Sequence, residues 1–190
     1  MVIEEHQHKR EIAHDEEELI RNAQANPDEF RVLYERYFKK IFLFVLHRIG
    51  DRALTADITS QVFLKALINI NKFSFRGLPF SAWLFRIALN ECNSFFRSNK
   101  RHRIVSIEHE MVSHLHVELT TDSSLQDLEE KLPYILQKLS MDELQLIELR
   151  FFEQRPFKEM ASILNITETY AKVKVYRVLD KMKKYFLQQK

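Results

Sequence analysis

Residues 157–177 read FKEMASILNITETYAKVKVYR, and this stretch has the pattern of a helix-turn-helix. Asn165 stands at the turn, where the backbone must be left-handed and asparagine tolerates that conformation. Thr167 is suited to cap the second helix, and Ala161 is small where two helices must approach closely. Such motifs place the second helix in the major groove of DNA. The alternative is a helical hairpin with a solvated basic face.

The second helix of this motif carries apolar residues on one side and polar residues on the other. Its polar face and flanks supply the candidate DNA contacts Thr169, Lys172, Val173, Lys174, Tyr176, Arg177 and Lys181. The positive charge at the end of this helix also complements the helix dipole, with or without DNA.

The composition of the whole chain predicts an all-α protein. Its 190 residues include 2 glycines, too few for the turns of a many-stranded fold or for a glycine-rich phosphate loop. A single cysteine, Cys92, excludes an intrachain disulfide and indicates a reducing compartment. The longest purely apolar run, Ile41–Leu46, cannot span a bilayer. The sequence therefore indicates a soluble cytoplasmic protein without a membrane partner.

Charge along the chain divides it into domains. The overall net charge is +2, but residues 1–30, 31–103, 104–130 and 131–190 carry −6, +10, −7 and +5. Two basic blocks separated by an acidic one suggest two polyanion-binding domains joined by a linker, although merely uneven surface charge is the alternative. We expect two small helical domains and a flexible acidic linker, with an acidic N-terminal tail over residues 1–14, a first domain over 15–103, the linker over 104–124 and a second domain over 125–190.

A helix predicted from Pro79 to about Arg101 is the most informative segment of the first domain. Its polar residues fall within an arc of about 100°, opposite an apolar face. Arginine and lysine contact phosphates, and asparagine can pair with base edges, so this face could read a duplex. An ordinary solvated face is the alternative. The residues concerned are Arg86, Asn90, Asn93, Arg97, Lys100 and Arg101.

The loop over residues 71–78 alternates aromatic with basic or polar side chains. Its candidate contacts are Asn71, Lys72, Phe73 and Arg76. Aromatic rings in a basic loop suit stacking on unpaired bases. The alternative is that Phe73 simply anchors the loop on the core.

Four stretches together resemble the bacterial RNA polymerase sigma factors of the extracytoplasmic-function type. They are LYERY at 33–37, DITSQVFLKA at 57–66, PFSAWLFRIA at 79–88, and the block 144–185. Each stretch alone is modest, but all occur in the family's order. The resemblance implies a transcription initiation factor that binds core polymerase and directs it to promoters.

The resemblance also implies a role for each candidate set. The loop 71–78 and the helix through Asn90 would recognise and open the minus-ten element, and the helix-turn-helix would read the minus-thirty-five element. The helix at 52–70 would dock on the clamp helices of the largest polymerase subunit through Asp57, Gln61, Phe63 and Lys65. Expected partners are core polymerase, including its flap, promoter DNA and an anti-sigma factor.

Other functions find little support in the residues. His109, His114 and His116 are candidate metal ligands. No residues are evident that would hold these side chains rigidly, so we expect no metal and no cofactor. No nucleophile stands with a positioned base, so we expect neither an enzyme nor a small-molecule substrate. A stand-alone helix-turn-helix regulator with a helical sensing domain is the main alternative, and an RNA-binding adaptor is a third.

Overall fold

The computed structural model describes residues 15–75, 78–99, 109–119 and 125–188, and within these ranges the chain forms helices and turns without a β-strand. Contacts divide the chain into a first unit that ends at Arg103 and a second unit that begins at Ile104. The predicted fold class, all-α with two helical domains, is confirmed. The tail predicted over residues 1–14 lies outside the described residues.

The first unit is a bundle of α2, α3 and α4, which pack against one another, together with a shorter N-terminal helix, α1. Its helices are α1 (15–25), α2 (Phe30–Ile49), α3 (Arg52–Asn69) and α4 (Phe80–Asn99). Single 3-10 turns, Pro27–Glu29 and Ile70–Lys72, precede α2 and follow α3.

The connection between α2 and α3 is two residues long, and each residue has a defined task. Gly50 adopts a left-handed conformation with φ 72° and donates its N–H to the carbonyl of Leu46 at 2.8 Å. Asp51 then caps α3, because its Oδ1 accepts the N–H of Leu54 at 2.9 Å. Together they reverse the chain direction and satisfy backbone groups that the two helix ends would otherwise leave unpaired.

Large aromatic side chains dominate the core of this unit. Phe44 and Phe85 meet edge to face with ring centroids 4.7 Å apart, and both are buried. The guanidinium of Arg48 lies 4.3 Å from the Phe44 centroid, and Arg48 is only 1% exposed. Cys92 on α4 is fully buried in the same core.

The second unit is built around its last helix, which contacts each of the other four. Its helices are α5 (His109–Leu119), α6 (Leu125–Gln137), α7 (Met141–Ile147), α8 (Phe157–Leu164) and α9 (Glu168–Gln188). A π turn, Glu148–Phe152, continues from the end of α7.

The prediction of a flexible linker over residues 104–124 is wrong for residues 109–119, which form α5. Val112, Leu115 and Leu119 are 1%, 0% and 6% exposed. Their spacing of three and four residues places them on one helix face, which packs against α6, α9 and the π turn. Burial of this apolar face explains why a segment rich in histidine and acids is helical. Residues 104–108 and 120–124 lie outside the described residues.

Candidate nucleic-acid interfaces

The helix-turn-helix has the local geometry that its sequence predicts. Asn165 is left-handed, with φ 54° and ψ 48°. Ile166 donates its N–H to the carbonyl of Ala161 at 2.9 Å, which closes the end of α8. The Thr167 hydroxyl accepts the N–H of Tyr170 at 3.3 Å and so caps α9. These contacts fix the angle at which α9 leaves the turn.

One face of α9 is free to contact a partner along its first ten residues. Of the predicted contacts, Thr169, Lys172, Val173, Tyr176 and Arg177 are exposed, and Lys174 is half-buried. The Lys174 ammonium lies 4.9 Å from the Tyr170 ring, and the Tyr176 ring lies 6.4 Å from that of Phe157. The face therefore combines cations with aromatic groups that neighbouring side chains already hold in place.

Lys181 is occupied by an ion pair inside the unit. Its ammonium donates to both carboxylate oxygens of Glu143, at 2.9 and 2.8 Å. The hydrogen bond to Glu143 raises the pKa of Lys181. Burial acts to raise the pKa of Glu143, but hydrogen bonds from Lys181 and Ser140 outweigh it and hold that pKa below its ordinary value. In this structure Lys181 joins α9 to the start of α7.

The polar stripe predicted on α4 runs along one side of the helix. Arg86 and Asn93 are half-buried, whereas Asn90 and Arg97 are exposed. The spacing of four, three and four residues aligns them, while the opposite side is buried in the bundle. Lys100 and Arg101, also predicted for this stripe, lie outside the described residues.

The loop before α4 combines exposed polar groups with an anchored ring. Asn71 and Lys72 are exposed, and the Lys72 ammonium donates to Asn69 Oδ1 at 2.9 Å. Phe73 is half-buried, with its ring 5.2 Å from those of Phe80 and of Trp83. The ring holds the loop against the unit. Arg76 lies outside the described residues.

The four residues predicted to bind the polymerase occupy different environments on α3. Asp57 and Gln61 are exposed. Lys65 pairs with Glu91 of α4 at 2.6 Å. Phe63 is only 3% exposed and packs against Tyr34 and Phe38 of α2. Phe63 is therefore a core residue, and only the other three reach the surface.

Apolar residues next to this set are exposed, which the sequence did not single out. Leu64 and Ile68 on α3 are 56% and 68% exposed. A groove of about 490 Å³ lies between α2 and α3, lined by Phe38, Lys39, Phe42, Leu43, Leu46, Arg52 and Ala56. Leu64 and Ile68 are four residues apart on one face of α3, so together they offer apolar surface that a protein partner can cover.

Buried polar residues form a second feature that the sequence did not reveal. Glu16 on α1 is 5% exposed and accepts the hydroxyl of Tyr37 and the backbone N–H of Phe80. Burial, together with the hydrogen bond to Glu16, raises the pKa of Tyr37. Glu16 thus joins α1 to α2 and to the first residue of α4.

Within the described residues, no three histidine, cysteine or carboxylate side chains lie close enough to share a metal ion. None of the described helices has the length and apolar character needed to cross a membrane.

Known proteins match both units of the chain. The family models for Sigma-70 region 2 and Sigma-70 region 4 match residues 33–102 and 135–184. ECF RNA polymerase sigma factor BldN of Streptomyces coelicolor is 32% identical over 85% of this chain, which spans 62% of that protein's length. ECF RNA polymerase sigma factor SigM of Bacillus subtilis is 23% identical over 80% of this chain and 91% of its own.

A solved structure supports the same fold. CnrH in complex with the cytosolic domain of CnrY matches 92% of this chain and 99% of its own, with a TM-score of 0.62 and 18% identity. The two family models occur in the order of the two helical units, and the relatives match across both units. The chain therefore belongs to the extracytoplasmic-function type of RNA polymerase sigma factors, a family of transcription initiation factors rather than enzymes.

Proposed function

We propose that the chain directs core RNA polymerase to promoters, with each unit reading one promoter element. The second unit binds the minus-thirty-five element as duplex DNA, and the first unit recognises and opens the minus-ten element. The observation that carries this division is the exposed face of α9. Five of its seven predicted contacts are exposed there.

The residues of α9 suit a duplex reader in the major groove. Arg177 and Lys172 supply cations for phosphates or guanine edges, and the exposed Val173 offers an apolar contact for a thymine methyl group. Lys181 is outside this proposed contact set, because Glu143 holds its ammonium on the α7 side of the helix.

The first unit suits a different task, which is to hold a strand that has left the duplex. Opening DNA costs roughly 1.4 kcal/mol per stacked step. A protein that hydrolyses no nucleotide must offset this cost by binding the opened state more tightly than the closed one. An unstacked base offers its edge and both faces, which Asn71, Lys72 and the stripe through Asn90 could contact.

Two modest DNA-binding units gain affinity from being joined in one chain. Once one unit has bound its element, the second contact becomes intramolecular and proceeds at a high effective concentration. Selective recognition then requires both elements at a suitable spacing, and neither unit needs high affinity by itself.

The proposed polymerase contact is the surface of α3 that carries Asp57 and Gln61, extended by the exposed apolar residues Leu64 and Ile68. These residues would dock on the clamp helices of the largest subunit, and the second unit would contact the flap. An anti-sigma factor is a further proposed partner; CnrH, which shares the fold, has been solved with the cytosolic domain of CnrY. We place the protein in the cytoplasm, where polymerase and promoter DNA are found.

Run-off transcription with purified core polymerase on genomic fragments tests the proposal. Core plus the chain should give specific initiation, and the chain alone should bind promoters weakly and give no transcript. An Arg177→Ala chain on the same templates controls for nonspecific stimulation. If the chain alone binds its target tightly and core adds nothing, a stand-alone helix-turn-helix regulator is the better assignment.

A further inference from the structure

The side chain of Gln24 on α1 contacts the loop that precedes α4. Its Nε2 donates to the carbonyl of Ile70 at 3.0 Å and to that of Phe73 at 2.9 Å. A primary amide has two N–H donors, so this group is fully used by the loop. The two carbonyls lie on either side of Asn71 and Lys72, the exposed polar residues of the loop.

Glu16, eight residues earlier, holds the other end of the same segment. Its Oε2 accepts the N–H of Phe80 at 3.2 Å, and this carboxylate is buried. Helix α1 therefore contacts the segment between α3 and α4 near both ends. Between these contacts the Phe73 ring packs on Phe80 and Trp83. These contacts hold the described part of the loop against the unit, while the side chains of Asn71 and Lys72 are exposed.

The effect of such contacts on recognition is entropic. A loop that must order itself while it binds a base spends part of the binding free energy on that ordering. The two hydrogen bonds to the carbonyls of Ile70 and Phe73 order the loop when the protein folds. The free energy of binding the strand is therefore not reduced by this ordering. The opened strand then encounters a loop that is already arranged.

We propose that Gln24 is a positioning residue for promoter opening: its amide holds the loop in the conformation that receives the unpaired strand. This inference rests on the proposed minus-ten role of the loop. Residue 24 lies outside residues 33–102, which the Sigma-70 region 2 model matches. The match to the family model therefore implies no role for Gln24.

The first test is open-complex formation by the full chain with core polymerase, measured by permanganate reactivity of unpaired thymines. Gln24→Met keeps the side-chain length and removes both donors. We expect the open-complex equilibrium to fall about tenfold, because the loop must then be ordered at the expense of binding free energy, while the footprint over the minus-thirty-five element is unchanged. Asn22→Ala, at an exposed position of the same helix, is the matched control and should behave as the natural chain does.

A second measurement separates positioning from general damage to the unit. Promoters that carry an abasic site at one position of the opened strand at a time remove the captured base. At the captured position, Gln24→Met should add little to the loss that the abasic site causes by itself, because both changes remove the same interaction. Full additivity at every position, or an open complex equal to that of the natural chain, would overturn the inference.

Two further variants distinguish a failure of the role of Gln24 from a failure of the role of the loop. If Gln24→Met does not fold, Gln24→Ala removes the same donors with a smaller, uncharged side chain, and the same loss of opening is expected. Lys72→Ala probes the loop itself. If Lys72→Ala impairs opening and Gln24 variants do not, the inference fails while the proposed role of the loop stands; if neither impairs opening, the role of the loop fails.

Discussion

On the proposed function, the two units present side chains to DNA in different ways. In the second unit, Asn165 and Thr167 set the direction of α9, and both lie within a few residues of the helix they orient. In the first unit, the loop is held by Gln24, which is 46 and 49 residues away from its acceptors. Reading a rigid duplex needs one rigid helix, which local sequence can specify. On the same proposal, receiving a single strand needs a shaped loop, and contacts from a helix far away in sequence help to hold that shape.

The largest test of this comparison removes the aromatic core of the first unit. Phe44→Ala should destabilise that unit by about 3–5 kcal/mol, because it leaves a cavity beside Phe85 and removes the ring under Arg48. Amide hydrogen exchange should accelerate through α2, α3 and α4. We expect exchange in α6 to α9 to keep its natural rate, and equal acceleration there would show that the two units unfold together.

The second test compares the two recognition surfaces. Arg177→Ala should weaken binding to the minus-thirty-five element by about 1–3 kcal/mol, the usual effect of losing an arginine contact to a base or phosphate. Asn90→Ala should leave binding to the minus-thirty-five element intact and reduce opening of the minus-ten element. Footprinting of the minus-thirty-five element and permanganate reactivity measure the two effects separately. Unchanged permanganate reactivity in Asn90→Ala would remove that residue from the proposed minus-ten surface.

The third test compares one helix cap in each unit. Thr167→Ala and Asp51→Ala each remove a side chain that accepts a hydrogen bond from a helix N-terminus, and each should destabilise its own unit by about 1 kcal/mol. Hydrogen exchange resolved by unit is the measurement. Only Thr167→Ala should also weaken binding to the minus-thirty-five element, since α9 begins there. A loss of upstream binding in Asp51→Ala would show that the units are coupled.

The smallest expected effect is the acid sensitivity of the pair that joins α7 and α9. The pKa of Glu143 is lower in the folded chain than its ordinary 4.5, so its contribution is full above that pH and is lost as pH falls through the folded value. Because the two side chains are 35% and 26% exposed, solvent screens the pair and its contribution should be about 0.5 kcal/mol.

Urea unfolding of the second unit between pH 3 and pH 7 checks this effect. Glu143→Gln should reduce the fall in the free energy of unfolding that occurs as the pH drops below about 4.5. An identical slope in the natural chain and the variant would show that the pair contributes nothing. The pKa of Lys181 is raised above 10.5, so its charge is constant over this range and does not contribute to the slope.

Features that short-range rules determine could be predicted from the sequence. The left-handed Asn165, the cap at Thr167 and the two faces of α9 all follow from spacing and residue type. The division into two helical domains followed from the same periodicity and from the alternation of charge, and the structure confirms it.

Burial that depends on a partner distant in sequence could not be predicted. Phe63 resembles a surface residue of a binding motif until Tyr34 and Phe38 are seen to cover it. The sequence does not predict helix α5, although Val112, Leu115 and Leu119 have helical spacing, because three apolar positions among polar residues are a weak signal without the surface they pack on. The contacts of Gln24 involve carbonyl groups, which every residue possesses, and so leave no signature in sequence.

Because Cys92 is buried, its chemical labelling reports the opening of the first unit. This is the chain's only thiol, and it is fully enclosed in the native core, where a thiol reagent cannot reach it. Its modification therefore requires the first unit to open, and under excess reagent the rate of labelling measures how often that happens. The second unit, which has no cysteine, is silent in such an experiment. The natural chain can thus be followed, without any substitution, as it loosens or tightens around a partner.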